Sequence, residues 1–225
     1  MQYEIIGGNL PAVLCRLTRG EKIICESGGM SWMDGVFKME TTGGGAGKMF
    51  GRMFSGESLF TNVYTAQQDG EIAFASSFPG EILAVELTPG KSIIAQKKAF
   101  LASEAGVDMS VYFQKKIGKG LFGGEGFIME KFTGSGVVFL EVDGAVKEYT
   151  LAPGERKVME TGHLVMMDDT CQMDIERISG VKNVLFGGEG LFNTVVTGPG
   201  KIVIQTMPMS KTASVLAQYL PTQSG

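Results

Sequence analysis

The sequence predicts an all-β fold of three pseudo-threefold-related, β-sandwich-like repeats followed by a short C-terminal helix. Glycine is unusually common, at 33 residues against 7 prolines, which is typical of many tight turns between short strands. Short β-branched runs bounded by Gly or Pro, such as 136–142 and 201–205, read as strands. Hydrophobic residues make up 44% of the chain and charged residues 20%, a composition that indicates a folded body.

The first sign of a repeat is a four-residue turn that recurs three times. Its second and third copies centre on Pro-Gly, where Pro presets φ at the second turn position and Gly accepts a positive φ at the third. This is the signature of a type II turn. The glycines are 70 and then 64 residues apart. The three turns are Thr18–Glu21, Thr88–Lys91 and Ala152–Glu155.

A second signature follows each turn in the same order, with an aromatic residue, glycines and a glutamate. The glutamates lie 37, 35 and 35 residues after the turn glycines. We interpret this signature as a structural loop, in which glycine allows close backbone approach and glutamate accepts backbone N–H groups. A phosphate cradle is a weaker interpretation, because no Lys-Ser/Thr pair follows. Three converging carboxylates holding a hard metal ion are a further alternative. The signature residues are Phe54, Gly56, Glu57, Phe122, Gly124, Glu125, Phe186, Gly188 and Glu189.

These spacings divide the chain into residues 1–80, 81–144 and 145–208, with a tail at 209–225, all expected to form one compact body. A unit of roughly 65 residues buries little core alone, so the repeats are expected to shield one another. In the tail, apolar residues fall on one helical face between Ser210 and Leu220. We expect a short helix there, capped by Ser210 and packed on the β body.

The first turn lies between Cys15 and Cys25, and we interpret it as a hairpin. In a simple hairpin register Cys15 would face Ile24, and the two sulfurs would point to opposite faces, so no disulfide is expected. The lack of an expected disulfide fits a reducing compartment, and no secretory leader is recognisable, so we expect a cytoplasmic location.

Other polar residues fit structural roles better than catalytic ones. An acid lies fourteen residues after each turn glycine, at Asp34, Glu104 and Asp168, where surface or turn roles are expected. His163, the single histidine, is expected in a turn or at a strand edge. The Gly-rich stretch 41–53 is either a flexible connection or a contact loop for a partner.

Composition also excludes or disfavours several classes of function. The net charge of −4 and the scattered basic residues disfavour nucleic acid as a partner. No apolar run of about eighteen residues exists, so no transmembrane helix is expected. We assign no catalytic residue, no metal ligand and no cofactor.

The ordered signatures, with the Gly-Pro-Gly-Lys-Ile strand that begins at Gly198, resemble the altered-inheritance-of-mitochondria 24 family over about residues 1–208. The resemblance is looser in the first repeat, where Ser55 and Ser58 replace glycines. It implies a fold like the trp RNA-binding attenuation protein, with three such β units in one chain. Its eukaryotic members are associated with the mitochondrial inner membrane and tied to membrane organisation.

Three hypotheses about function follow. The first is a non-enzymatic scaffold or assembly protein, in a membrane-proximal setting, that binds an unknown protein partner or itself. The second is a module that binds a small molecule or RNA in clefts between repeats; a shared fold does not by itself establish RNA binding. The third, which we rank last, is a hydrolase built on an acidic triplet.

Overall fold

The computed structural model describes residues 1–42, 61–115, 126–177, 192–217 and 219. In this part of the chain, nineteen strands and one α-helix follow one another, with a single 3-10 turn at Lys97–Ala99. The elements are β1 (Gln2–Ile6), β2 (Ala12–Leu17), β3 (Lys22–Glu26), β4 (Trp32–Asp34), β5 (Phe37–Thr42), β6 (Thr61–Ala66), β7 (Gly70–Ala75), β8 (Gly80–Leu87), β9 (Ile93–Gln96), β10 (Phe100–Glu104), β11 (Val107–Lys115), β12 (Phe127–Gly134), β13 (Gly136–Asp143), β14 (Val146–Leu151), β15 (Arg156–Glu160), β16 (Leu164–Asp168), β17 (Gln172–Arg177), β18 (Phe192–Thr197), β19 (Gly200–Gln205) and α1 (Met209–Ala217).

The strands form four sheets, and the paired strands are antiparallel throughout the described residues. Sheet 1 has the order β1-β2-β7-β4, and sheet 2 the order β5-β6-β3-β10-β13-β8. Sheet 3 has the order β11-β12-β9-β16-β19-β14, and sheet 4 the order β15-β18-β17. Sheets 2 and 3 therefore each combine strands from two of the predicted repeats. The predicted all-β class is confirmed, and so are the strands expected at 136–142 and 201–205.

The three recurring turns are present, the two Pro-Gly turns have the predicted type II pattern, and all three connect one sheet to the next. Their glycines have positive φ angles of 91° at Gly20, 89° at Gly90 and 78° at Gly154. In each turn the fourth residue donates its N–H to the carbonyl of the first, as in Glu21 to Thr18 at 3.0 Å. The hairpin expected around the first turn is wrong, because β2 belongs to sheet 1 and β3 to sheet 2. A type II turn lacks the twist of a two-residue hairpin link, which fits this corner geometry.

Three hydrophobic cores lie between successive sheets. Core 1 joins Cys15 and Phe74 of sheet 1 to Phe139 of sheet 2. Core 2 joins Val138 and Leu140 of sheet 2 to sheet 3, and core 3 joins sheet 3 to sheet 4. Successive residues of β13 thus enter different cores, so the strand is apolar on both faces. This explains why four successive residues of β13, from Val137 to Leu140, are apolar with no polar alternation.

The C-terminal helix is present, but two details predicted for it are wrong. Ser210 does not cap the helix; it lies inside, and the N–H of Met209 instead donates to the Asp143 carboxylate at 2.8 Å. No helix residue is buried, so the predicted packing of its apolar face on the β body does not occur. A link between Lys211 Nζ and Glu160 Oε2, at 2.8 Å, ties the helix to the body.

Within the described residues, no helix combines the length and the apolar character that crossing a bilayer requires.

Candidate functional site

The residues of the aromatic–Gly–Glu signature lie outside the described residues. The same is true of the Gly-rich stretch from residue 43 onward. Convergence of the three glutamates therefore stays a prediction. The residues concerned are Phe54, Gly56, Glu57, Phe122, Gly124, Glu125, Phe186, Gly188 and Glu189.

Two of the three acids that follow the turns serve the backbone. Glu104 Oε2 accepts the N–H of Val137 at 2.9 Å, and Asp168 Oδ2 accepts the N–H of Lys201 at 2.7 Å. Both contacts fix the start of a neighbouring strand, and both acids end strands of their own, so their role is structural but is not the predicted surface or turn role. The third acid, Asp34, is exposed at the end of β4.

His163 lies in the turn between β15 and β16, as predicted. Its Nδ1 is 2.7 Å from the carbonyl oxygen of Gln205, a contact in which the ring nitrogen donates. Its backbone carbonyl accepts the N–H of Gln205 at 2.9 Å. Its Nε2 lies 3.7 Å from Glu160 Oε2. The imidazole thus joins two neighbouring segments of the third repeat.

The cysteines are buried free thiols. Cys15 and Cys25 enter core 1 from facing sheets, so the prediction that their side chains point to opposite faces of one hairpin is wrong. Burial raises the pKa of each of these two thiols to about 12. Burial also raises the pKa of Cys171. Burial therefore disfavours the thiolate, which is the nucleophilic form, at all three cysteines.

Two polar side chains join strands that belong to successive predicted repeats. Glu141 Oε2 accepts the N–H of Ser77 at 2.8 Å and the hydroxyl of Ser76 at 2.9 Å. Gln205 Oε1 accepts the N–H of Asp143 at 2.9 Å, and its Nε2 donates to the carbonyl of Gly162 at 2.8 Å. Burial raises the pKa of Glu141, and its hydrogen bonds offset this only in part.

No local motif marks Glu141 or Gln205, although the repeat contains a signal for them. Each lies five residues after the glycine that opens its strand, Gly136 in β13 and Gly200 in β19. Their acceptors face backbone groups in another repeat, more than sixty residues away in sequence. A repeat alignment would have paired the two residues, but their role depends on contacts that only the fold creates.

A cleft of about 340 Å³ opens where segments of all three predicted repeats meet. Glu26 lies on its wall from the first repeat, Gln96 and Lys98 from the second, and Gln205 from the third. Two further carboxylates, Glu141 and Asp143, line the cleft with Ser77, Gly162 and the segment Pro208, Met209 and Ser210 around the start of α1. The lining is mixed in charge, which suits a small polar molecule better than an apolar one.

Large apolar side chains are exposed along both edges of sheet 1. Strand β1 exposes three of them, β4 two, and the adjoining turns one each. Such groups on a folded surface mark sites of contact with other molecules when they cluster. The residues are Tyr3, Ile5, Ile6, Leu10, Trp32, Met33 and Val36.

Among the described residues, no three His, Cys, Asp or Glu side chains come together in a way that would hold a metal ion.

Comparison with known proteins gives a consistent picture. The profile of a family described as "Mitochondrial biogenesis AIM24" matches residues 3–207. An uncharacterised protein of Streptococcus pyogenes serotype M6 is 32% identical over 223 residues, covering 95% of this chain and 88% of that protein. The crystal structure of a Streptococcus pyogenes protein superposes with a TM-score of 0.79 at 27% identity, covering 97% of this chain and 99% of the other.

Proposed function

This chain belongs to the AIM24 family, and from that premise we propose that it is a non-enzymatic scaffold or assembly protein. The exposed apolar edges of sheet 1 carry the proposal. A soluble domain ordinarily covers such groups, and an uncovered edge strand invites pairing with another chain.

The described polar residues support a structural role over a catalytic one. Four of these side chains accept hydrogen bonds from backbone N–H groups. They are Glu104, Asp168, Glu141 and Gln205. The thiols of Cys15 and Cys25 are buried, and burial raises their pKa values. Of the acids that the sequence offered for chemistry, Glu104 and Asp168 thus bind backbone groups of neighbouring strands.

We further infer that residues 1–80, 81–144 and 145–208 are three copies of one β unit, arranged like the trp RNA-binding attenuation protein. The three turns share one hydrogen-bond pattern. The second strand after each turn, β4, β10 or β16, pairs with the last strand of its own unit, β7, β13 or β19. The contacts of Glu141 and Gln205 repeat one arrangement at successive junctions.

We place this scaffold in the cytoplasm, close to a membrane. The exposed apolar side chains at the edges of sheet 1 support a setting close to a surface that they can contact.

A pull-down from cells that express the protein natively tests the proposal. Replacement of two exposed residues of β1, in the variant Ile5→Ser/Ile6→Ser, should abolish capture of a partner that the wild-type protein enriches. The variant Val215→Ser/Leu216→Ser is the matched control, because it removes equally exposed apolar groups from α1. If the wild-type protein enriches nothing, or if both variants lose the partner equally, the scaffold proposal fails.

The cleft beside α1 favours a second candidate function, binding of a small polar molecule or a short RNA. Segments of all three units line it, and Lys98 supplies a positive charge there. A thermal-shift screen with metabolites and short RNAs at low salt is the check. A hit should disappear in Lys98→Ala and persist in Lys91→Ala, which alters an exposed turn lysine outside the cleft. No shift with any compound would remove this candidate.

A further inference from the structure

Two strand junctions in this molecule have an identical register. Strand β3 pairs with β10 by placing Cys25 opposite Ala102, Ile24 opposite Ser103 and Ile23 opposite Glu104. Strand β9 pairs with β16 by placing Ala95 opposite Met166, Ile94 opposite Met167 and Ile93 opposite Asp168. In both junctions, the residues 5, 4 and 3 positions after one turn glycine lie opposite the residues 12, 13 and 14 positions after the next turn glycine. Each junction joins the first strand after one turn to the second strand after the next turn.

Among the described strands, one strand of each kind is left at a sheet edge. Strand β4 is the outer strand of sheet 1, and β15 is the outer strand of sheet 4. The strands β10 and β16, which correspond to β4, are almost fully buried. In β4, by contrast, Trp32 is 47% exposed and Met33 44%. In β15, Val158 is 54% exposed, whereas Ile94 at the corresponding position of β9 is fully buried.

We propose that β15 of one molecule pairs with β4 of a second copy of this chain, in the register of the two internal junctions. The proposal rests on the scaffold function above and specifies its self-association. Position by position, Met159 then faces Trp32, Val158 faces Met33 and Lys157 faces Asp34. Two apolar pairs and one oppositely charged pair result, and cross-strand pairs of these kinds stabilise a sheet.

The charged pair is what sets this third junction apart. In the internal junctions an isoleucine, Ile23 or Ile93, lies opposite the acid. In β15 that place is taken by Lys157. Its Nζ lies 4.1 Å from the centroid of the Tyr149 ring, so pairing requires the side chain to lean towards Asp34 of the other copy. A lysine on an open edge discourages indiscriminate pairing, and an acid on the matching edge makes it selective.

A second copy is the occupant because β4 and β15 are not paired with one another within the chain, and each leaves apolar side chains exposed at its edge. Sheets 2 and 3, each of six strands, lie between them in the order of packing. The contact is heterologous, since the surface that one molecule offers differs from the surface it receives. Such contacts propagate into rows or close into rings.

Light scattering coupled to size exclusion tests the pairing with purified full-length protein. The wild-type chain should exceed the 24.0 kDa mass of a monomer as its concentration rises. Lys157→Asp and Asp34→Lys should each weaken association by roughly tenfold or more, because each places like charges opposite one another. An equimolar mixture of the two variants should recover association, since each mixed contact restores one opposite-charge pair.

Recovery on mixing is the decisive outcome, because pairing within one chain cannot produce it. Lys91→Asp makes the same charge change in the exposed second turn and should leave association unchanged. A wild-type chain that is monomeric at every concentration, or a mixture that stays monomeric, overturns the proposal. If the pull-down partner is still captured by a monomeric protein, self-pairing fails while the scaffold function stands.

A cross-linking experiment covers the case in which the charge variants fold poorly. A chain carrying Met33→Cys, mixed with a chain carrying Val158→Cys under oxidation, should give a covalent dimer, and neither chain should give it alone. A chain carrying both substitutions that instead closes an internal disulfide at monomer mass would show that the edges meet within one molecule, and would overturn the proposal.

Discussion

At the scale of single residues, burial acts differently on Glu141 and Gln205, the two polar side chains that connect successive predicted units. Glu141 and Gln205 occupy corresponding positions and accept backbone N–H groups in corresponding ways. One of them can carry a charge and the other cannot. Burial raises the pKa of Glu141, because it disfavours the charged carboxylate in the folded protein.

This difference predicts that Glu141→Gln stabilises the protein at pH 7. A carboxyl with a raised pKa in the folded state binds protons more tightly there than in the unfolded chain. Stability therefore falls as pH rises from its ordinary pKa through the raised one. The glutamine keeps an acceptor oxygen and removes the charge, and we expect a gain of about 1 kcal/mol in the free energy of unfolding.

Chemical denaturation at pH 7 and near pH 4 measures the effect. The gain should shrink at the lower pH, where Glu141 is increasingly protonated in the wild-type protein. Glu86→Gln, which alters an exposed glutamate of β8, should show no such gain at either pH. A Glu141→Gln protein less stable than wild type at pH 7 would mean that the charged hydrogen bonds outweigh burial.

The acids after the turns show how far residue-level prediction reached. The spacing of Glu104 and Asp168 from their turn glycines indicated a structural role, which their backbone contacts confirm. Glu141 and Gln205 escaped notice because no local motif marks an acceptor whose donor lies more than sixty residues away.

At the scale of elements, the strands were predictable and their partners were not. Alternation and β-branched runs report which residues extend, whichever sheet they join. The two Pro-Gly turns were correctly predicted as type II, whereas the prediction that the first turn, Thr18–Glu21, links a hairpin was wrong. Helix α1 shows the same limit, because its first N–H is held by Asp143, a residue that lies in β13 and is remote in sequence.

Alanine is opposed for different reasons at two glycines, by the backbone conformation at Gly90 and by steric contact at Gly80. A Cβ atom at Gly90 would meet open space, so only its positive φ of 89° opposes substitution. A Cβ atom at Gly80 would lie 1.8 Å from the carbonyl oxygen of Val142 on the paired strand β13. Gly90→Ala should therefore cost about 1–2 kcal/mol, and Gly80→Ala more than about 3 kcal/mol, because β8 and β13 must separate.

Thermal or chemical unfolding of the two variants measures the difference directly. Equal losses would show that β8 can shift to admit a methyl group, contrary to the tight strand pairing described above.

At the scale of the whole molecule, the cores are linked through shared sheets. Sheet 2 contributes to cores 1 and 2, and sheet 3 to cores 2 and 3. The sequence predicted that the units shield one another, since one unit alone is too small to bury much surface. It did not predict that sheets 2 and 3 would each be made from strands of two units, because register across a junction has no local signature.

Shared sheets predict that the molecule unfolds as one cooperative body. Ile202→Ala removes a fully buried side chain from core 3, and should cost roughly 2–5 kcal/mol. The single tryptophan, Trp32, lies in sheet 1 at the other end of the packing order. The unfolding midpoint followed by Trp32 fluorescence should fall with the midpoint followed by circular dichroism. Leu216→Ala, on the exposed face of α1, should move neither.

An unchanged tryptophan midpoint in Ile202→Ala would show that the first unit unfolds independently of the third.

The order of the junctions also bears on the chain as it leaves the ribosome. Strand β3 lacks one of its pairing partners until β10 has been synthesised, and β9 lacks one until β16 has been synthesised. The segments that contain β3 and β9 therefore leave the ribosome with one strand edge unpaired. Each newly synthesised strand β10 or β16 therefore covers a strand edge that was exposed when the preceding segment left the ribosome. Among the described strands, β15 is the one first strand after a turn that no second strand after a later turn pairs with.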